Sequence, residues 1–304
     1  MEPDSQPQIS VVIATYNGQE TLPTQLLALE RQDFEGRFEV LICDNGSSDR
    51  TRDVAREWEN RLPGIRVIDA SDLAGGGFAK NVGVINALAP LIAFCDQDDY
   101  VLAGWLSAIH GGLAAHDIVT GPLGRVTDFG GTDPLPIVAE TDFSQEFARL
   151  KGMPVAAGCN SGFTREALSQ GFADMDTITS LRAHRRGFTV GWCPEAKILY
   201  RRPIGGPKLG RAISSGAWRA AIDREFGGGL NGESVRTMRS IAWLVFHLPP
   251  AIVRRDLASL RWPFGVAIGG ILERTLPGYW WGRIGARRLA GKADTQVFLP
   301  ESAR

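Results

Sequence analysis

The chain has four cysteines, Cys43, Cys95, Cys159 and Cys193, and no two of them form a C-x-x-C pair. Each adjoins apolar residues, so they read as reduced structural thiols of a cytosolic protein rather than as a disulfide framework. No apolar run reaches the roughly 20 residues that a spanning helix needs. Met1 to Gln8 is polar and is followed at once by strand-like residues, so no signal peptide is expected. No G-x-G-x-x-G follows the first strand, which argues against a dinucleotide fold. Internal repeats and low-complexity segments are missing too.

What remains is an ordinary globular composition over 304 residues, 44% hydrophobic and 22% charged. Its net charge of −1 hides an asymmetry. Residues 1–200 carry 16 Lys+Arg against 27 Asp+Glu, a net of −11. Residues 201–292 carry 16 against 5, a net of +11. Trp218, Trp243, Trp262, Trp280 and Trp281 also fall in the basic part. The shift predicts two regions, 1–200 and 201–304, that meet different surroundings.

The first region alternates strand and helix. Strands are predicted at Ile9–Ala14, Phe38–Cys43, Ile65–Asp69 and Leu91–Cys95, with helices at Glu20–Gln32, Asp49–Asn60 and Phe78–Leu88. A further helix is expected to start near Val101, and others at Arg165–Gln170 and Asp176–Arg186. Alternation of this kind gives an α/β fold with a mostly parallel sheet flanked by helices. Ligands then bind at the carboxyl ends of the strands. The polar clusters lie there: Thr15-Tyr16-Asn17, Asp44-Asn-Gly-Ser-Ser-Asp49 and Asp96-Gln-Asp98-Asp99.

Each cluster admits a plain and a chemical reading. Three carboxylates in four residues repel one another unless a cation sits among them, and Mg²⁺ or Mn²⁺ suits oxygen ligands. The plain reading is a solvated turn that caps the next helix. Asp44 ends a strand and is free to meet a nucleobase, or it serves the turn; Ser48 or Asp49 caps the helix that follows. Gly75-Gly-Gly-Phe-Ala-Lys80-Asn81 opens a helix whose N–H groups and Lys80 suit a diphosphate, and it also reads as a flexible loop. Asp176 opens a helix that ends in Arg182-Ala-His-Arg-Arg-Gly187, an order the helix dipole alone would favour. His184 on that basic face reads as a surface residue.

Four segments, ISVVIATYNG (9–18), LICDNGSSDRT (41–51), GGGFAKNVG (75–83) and AFCDQDD (93–99), together resemble the donor-binding motifs of family 2 glycosyltransferases. The resemblance covers roughly residues 9–200. It implies the GT-A fold, here with a C-terminal helical extension, and an inverting transfer from a nucleotide-sugar. Thr15, Tyr16 and Asn17 would line the nucleotide, with Asp44 bonded to the base. Lys80, where the family more often has Arg, and Asn81 would lie near the diphosphate. Asp96 and Asp98 look like the D-x-D pair, holding Mg²⁺ or Mn²⁺, with Asp96 also near the ribose. Asn160, in Gly158-Cys-Asn160, resembles the segment near sugar and acceptor. The family's catalytic base falls on Asp176. Three departures stand out. Met175 replaces the usual Glu before that Asp. The loop before it is short, with Asp174 the nearest substitute base. Tyr200-Arg201-Arg202 occupies the stretch where many members have a metal-binding His.

Residues 201–292 contain apolar runs, such as Ile241–Phe246 and Pro263–Leu272, interrupted by Arg254, Arg255, Arg261 and Arg274. Such helices either lie in a membrane interface or pack as a helical subdomain. The expectation is peripheral contact at the inner face of the cell membrane, with a UDP-sugar as favoured donor, a glycan or lipid-linked acceptor, and no nucleic acid. Two rivals stay open. One is a non-catalytic nucleotide-sugar-binding protein of the same fold. The other is a sugar-phosphate nucleotidyltransferase, against which the lack of basic residues in Ala14–Gly18 counts.

Overall fold

A computed structural model of the chain describes residues 6–62, 64–127, 129, 141–146, 148–150, 152–169, 171, 176–202, 213, 222, 226 and 266–268. The chain divides into two compact units, one formed chiefly by Met1–Arg202 and the other by Pro203–Ala293.

The first unit is built on β1 (Ile9–Thr15), α1 (Leu22–Glu30), β2 (Phe38–Asp44), α2 (Thr51–Arg56), β3 (Ile65–Asp69), α3 (Gly76–Asn86) and β4 (Leu91–Cys95). There follow β5 (Tyr100–Val101), α4 (Trp105–Gly112), β6 (Ile118–Thr120), β7 (Leu123–Val126), β8 (Ala148–Leu150) and β9 (Met153–Val155). The last described elements are β10 (Asn160–Thr164), α5 (Asp176–Arg185), β11 (Val190–Trp192) and β12 (Ile198–Arg201). Seven strands form one sheet in the order β11-β6-β10-β4-β1-β2-β3. Strands β4, β1, β2 and β3 run parallel, β10 runs antiparallel to β4 and β6, and β11 is parallel to β6. This is the mostly parallel sheet with flanking helices that the alternating pattern predicts.

The side-chain period of a strand explains the two cores. Val11, Ile13, Val40, Ile42 and Cys95 face one layer, with Leu22, Leu26 and Leu29 of α1, Ala55 of α2 and Trp105 of α4. Val12, Leu41, Cys43 and Phe94 face the other, with Ala79 of α3 and Ala183 of α5. Strands covered on both faces are mostly apolar, and β1 and β2 depart from this inside the sheet only at Ser10 and Glu39, which are buried and joined by a hydrogen bond from Ser10 Oγ to Glu39 Oε1 at 2.6 Å. Helix α3 comes very close to the sheet at Gly83, where a Cβ would lie 2.3 Å from Val12 Cγ1 and 2.8 Å from Cys43 Sγ.

Two expected helices are different. The one predicted from Val101 begins at Trp105, because Tyr100 and Val101 pair with Leu199 and Ile198 as strand β5. Gly104, at φ +79°, then turns the chain into α4. Arg165–Ser169 forms turns rather than a helix. The Arg165 guanidinium there bonds the carbonyls of Val84, Ala87 and Ala89, tying this segment to the end of α3.

Strand β12 lies between β5 and β7 in a separate three-stranded sheet. Its pairing with β5 brings Tyr200 and Arg201 to the acidic loop after β4. In the second unit Ile222, Phe226, Val266 and Ala267 are helical and buried. Arg254, Arg255, Arg261, Arg274 and the run Ile241–Phe246 lie outside the described residues, as does the run Pro263–Leu272 apart from residues 266–268. Among the described residues no helix is long and apolar enough to cross a membrane.

Candidate functional site

Parallel neighbours β4, β1 and β2 end on the same side, so their polar C-terminal residues converge. A cleft of about 430 Å³ opens there. Thr15 and Tyr16 line it from β1, Asn45 from β2, Gly76, Gly77 and Lys80 from α3, and Asp96, Gln97 and Asp98 from β4. Gly158, Cys159 and Tyr200 close it.

The acidic side is graded in depth. The Asp96 side chain is 39% exposed and pairs with Lys80 Nζ at 3.2 Å. Lys80 is itself buried and also donates to the Gly158 carbonyl at 2.9 Å. Asp98 lines the cleft. Asp99 is fully buried, and its Oδ1 accepts the Arg201 N–H at 2.9 Å. Its Oδ2 is buried with no hydrogen-bond partner among the described residues. Burial, then the negative charges of Asp96 and Asp98, push the Asp99 carboxyl well above its ordinary range. The Tyr200 hydroxyl is raised as well, first by burial and then by Cys159, Asp99, Asp96 and Asp98. A carboxylate oxygen of Asp96, one of Asp99 and the Cys159 sulfur lie within 4.8 Å of one another. The residues here suit a divalent cation, because clustered acidic donors and a buried unbonded carboxylate oxygen both call for positive charge.

At the ends of β1 and β2 lie two further orphaned oxygens, Thr15 Oγ1 and Asp44 Oδ1, both buried without partners among the described residues. The other Asp44 oxygen, Oδ2, accepts from Arg52 Nε at 2.6 Å and the Ser47 N–H at 3.2 Å. Tyr16, 60% exposed, stands at the mouth of the cleft.

Several predicted residues hold the site rather than line it. Asn17, the one described non-glycine residue with positive φ, donates its N–H to Ser47 Oγ at 2.9 Å and accepts from the Ser48 N–H at 2.8 Å. Asp49 accepts from the Thr51 N–H at 3.0 Å as α2 begins, and from the Gln19 N–H at 3.1 Å. Asn160 is fully buried, accepting from Trp105 Nε1 at 2.8 Å and donating to the carbonyls of Ala196 and Pro122. Both ends of its amide are thus engaged in the core, and Gly158 and Cys159 line the cleft in its place. Asn81 is on α3 but not among the lining residues; a Cβ at Gly171 would lie 3.2 Å from its Oδ1. Asp176 is the first residue of α5, and its side chain lies outside the described residues, as do Asp174 and Met175. His184 is exposed.

Four residues that line the cleft were not among the site residues expected from the sequence. Gln97 brackets the Tyr16 backbone, accepting its N–H at 3.0 Å and donating to its carbonyl at 3.1 Å. Asn45 donates to the Ala70 and Leu73 carbonyls and accepts the Gly75 N–H at 2.7 Å, fixing the glycine-rich turn. Both sit inside quoted motifs, so their position was the available signal. Cys159 follows Gly158 in a segment read for its Asn. Tyr200 stands in the stretch where the resemblance leads one to expect a His, and that departure was the available signal.

The family model for glycosyl transferase family 2 matches residues 10–172. Validoxylamine A glucosyltransferase of Streptomyces hygroscopicus subsp. limoneus is 42% identical over 122 residues, 38% of this chain and 26% of that protein. The poly(ribitol-phosphate) beta-N-acetylglucosaminyltransferase TarS of Staphylococcus aureus is 32% identical over 96 residues, 31% of this chain and 17% of that protein. The chain thus matches about a quarter or less of the length of these two relatives. The crystal structure of TarS 1-349 with UDP-GlcNAc superposes with a TM-score of 0.52 at 16% identity, covering 88% of this chain and 82% of that one. A mannosyltransferase of Pyrobaculum calidifontis in complex with GDP-Man and Mn²⁺ gives a TM-score of 0.55 at 18% identity, covering 90% and 88%. These likenesses carry the fold.

Proposed function

The chain belongs to glycosyl transferase family 2, and from that premise we propose that it is an enzyme moving a sugar from a nucleotide-sugar to an acceptor hydroxyl with inversion. One observation carries the reading. The acidic loop after β4, the Lys80 ammonium and the α3 N-terminus line one cleft at the carboxyl ends of the strands, and the buried Asp44 carboxylate ends β2 next to the lining residue Asn45.

The roles follow from chemistry. Asp44 Oδ1 and Thr15 Oγ1 are buried acceptors in want of a donor, and a pyrimidine N–H supplies one; that favours a UDP-sugar. Tyr16 offers its ring to the base. Lys80 and the first N–H groups of α3, at Gly76 and Gly77, hold the diphosphate. Asp96 and Asp98 hold a divalent cation, Mg²⁺ or Mn²⁺ by the hardness of their oxygens. When bound, that cation stabilises negative charge on the diphosphate. Asp176 takes the proton of the acceptor hydroxyl as its oxygen bonds the anomeric carbon. The bond from that carbon to the diphosphate breaks in the same step, and its electron pair leaves with the nucleotide. No covalent enzyme intermediate is needed.

The acceptor is a cell-surface glycan or a lipid-linked sugar, reached from the inner face of the membrane through residues 201–292. The +11 charge and the clustered tryptophans of that segment support this.

A thermal-shift series against UDP-, GDP- and dTDP-sugars tests the donor reading. A ligand at 100 times its Kd stabilises by about 2.7 kcal/mol. The UDP-sugars are expected to raise Tm most. No shift with any of them overturns the reading. Release of UDP from the bound donor separates a transferase from a protein that only binds, which leaves the donor intact.

A further inference from the structure

We propose that Arg52 is a specificity-determining positioning residue. It holds Asp44 as a carboxylate with one oxygen free, and so selects donors whose base presents an N–H and rejects cytosine and adenine. The proposal rests on the reading of the cleft as a nucleotide-sugar site, and deepens it by naming the device that chooses the base.

Three observations meet at the ends of β2 and β3. Asp44, the last residue of β2, is fully buried, and Asn45 beside it lines the cleft. The two Asp44 oxygens are unlike. Oδ2 accepts from Arg52 Nε at 2.6 Å and from the Ser47 N–H at 3.2 Å, whereas Oδ1 is buried without a partner among the described residues. The guanidinium is itself clamped, because Nη2 donates at 3.3 Å to Asp69 Oδ1 at the end of β3. Arg52 comes from the first turn of α2, so one side chain ties that helix to two strand ends.

Charge then sets the selectivity. An ionised carboxylate accepts hydrogen bonds and cannot donate one. In a buried position a carboxylate persists beside a countercharge and otherwise takes up a proton. Arg52 supplies the countercharge, and by occupying Oδ2 it leaves Oδ1 for the ligand. Uracil and thymine N3–H, or guanine N1–H, can meet that oxygen. Cytosine N3 and adenine N1 are acceptors, and against Oδ1 they set lone pair on lone pair. A protonated carboxyl would lift that exclusion, because it can donate. The Arg52 side chain is 38% exposed, so its replacement opens no cavity in the core.

Calorimetric titration of the full chain with UDP and with CDP, both without metal, tests this. The wild type should bind UDP about 50-fold or more tightly than CDP, since CDP leaves a buried acceptor unpaired. Arg52→Met should narrow that ratio about tenfold or more, through weaker UDP and equal or tighter CDP. Arg52→Gln, which keeps an N–H but no charge, should narrow it too. Arg56→Met removes an exposed ion pair with Asp53 on the same helix and should leave both affinities unchanged. Circular dichroism and Tm confirm that each variant is folded. A merely structural arginine would weaken both nucleotides by one factor, and that outcome overturns the proposal. So does a wild-type preference that survives in a folded Arg52→Met or Arg52→Gln. A wild type that binds UDP and CDP alike overturns it while leaving a nucleotide site in place, whereas one that binds neither removes the donor reading as well.

Discussion

Replacing Lys80 by Met keeps the length and the apolar stem of the side chain and removes its charge. In the structure that charge faces two ways: toward Asp96 Oδ1 at 3.2 Å and toward the Gly158 carbonyl at 2.9 Å. In the proposed complex it also faces the diphosphate. The two demands have opposite signs for two ligands. For the nucleotide, the variant loses a charge-assisted hydrogen bond of about 1.5–3 kcal/mol, or roughly 10- to 150-fold in Kd. For a divalent cation, it removes a competing positive charge beside Asp96. Coulomb attraction at 3.2 Å and an effective dielectric of 20 is about 5 kcal/mol. The Asp96 side chain is 39% exposed, so solvent screening reduces this to about 1–2 kcal/mol. Lys80→Met should therefore bind UDP more weakly without metal and Mn²⁺ more tightly without UDP. Two calorimetric titrations measure the pair. Loss of the Lys80 hydrogen bond to the Gly158 carbonyl should also lower Tm by a few degrees, since about 1 kcal/mol is worth 2–4 °C in a domain of this size. A merely structural lysine would weaken both ligands together. That outcome, or unchanged UDP affinity, refutes the placement of Lys80 between carboxylates and diphosphate.

Asp176→Asn should cut kcat by about 10²-fold or more with donor affinity little changed. A large loss in Asp174→Asn instead moves the base into the short loop, and a loss in neither removes the mechanism. Asp44→Ala should weaken UDP binding by about 1–3 kcal/mol, because the base edge loses its acceptor; equal affinity by calorimetry takes Asp44 out of the site. Asn160→Ala should cost about 3 kcal/mol or more of folding stability, since Trp105 Nε1 and two carbonyls lose partners in the core. Denaturant melts unaffected by that change would return Asn160 to the sugar pocket. The wild type should co-sediment with anionic liposomes, and charge reversal at Arg254, Arg255 and Arg261 should weaken this; binding undiminished in a folded variant makes the basic region a packing module.

Strands β1, β2 and β4 were legible because burial on both faces leaves a largely apolar run with a sharp polar end, whereas the edge strand β3, only partly buried, was legible from its β-branched Ile65, Val67 and Ile68. Ile65–Asp69 and Leu91–Cys95 match β3 and β4 at both ends, while β1 and β2 each run one residue past the prediction. What lay hidden came from distant pairing. Tyr200 reaches the cleft because β12 pairs with β5 and β7, and such a partnership leaves no local pattern. The same pairing turned an expected helix start at Val101 into a strand. Cys159 and Asp99 meet across some sixty residues of chain because β10 runs antiparallel beside β4, with Asn160 opposite Cys95. Asn160 shows the reverse failure. Its place in a resembling motif suggested a ligand contact, yet a buried amide with partners on both ends belongs to the core.

The motif residues fall into contacts and holders, and the division follows from strand spacing. Neighbouring strands lie about 4.8 Å apart, so a side chain at one strand end reaches the backbone of the next. Gln97 brackets Tyr16 across β4 and β1. Asn17 reaches Ser47 and Ser48 across β1 and β2. Asn45 reaches Leu73 and Gly75 past β3. Each of these amides bonds loop backbone that no regular ladder satisfies, and each links two motifs. The cleft-lining residues Thr15, Tyr16, Lys80 and Asp98 are thereby set on chain segments lashed to one another rather than on independent ends. A change at any one amide displaces two motifs at once. Losses from such changes should not add, because neighbours that share a network couple by 0.5–3 kcal/mol. The dense polar lettering of these motifs is therefore more than a record of what touches the ligand. Much of it keeps four chain segments in register around a cleft that no single segment could form.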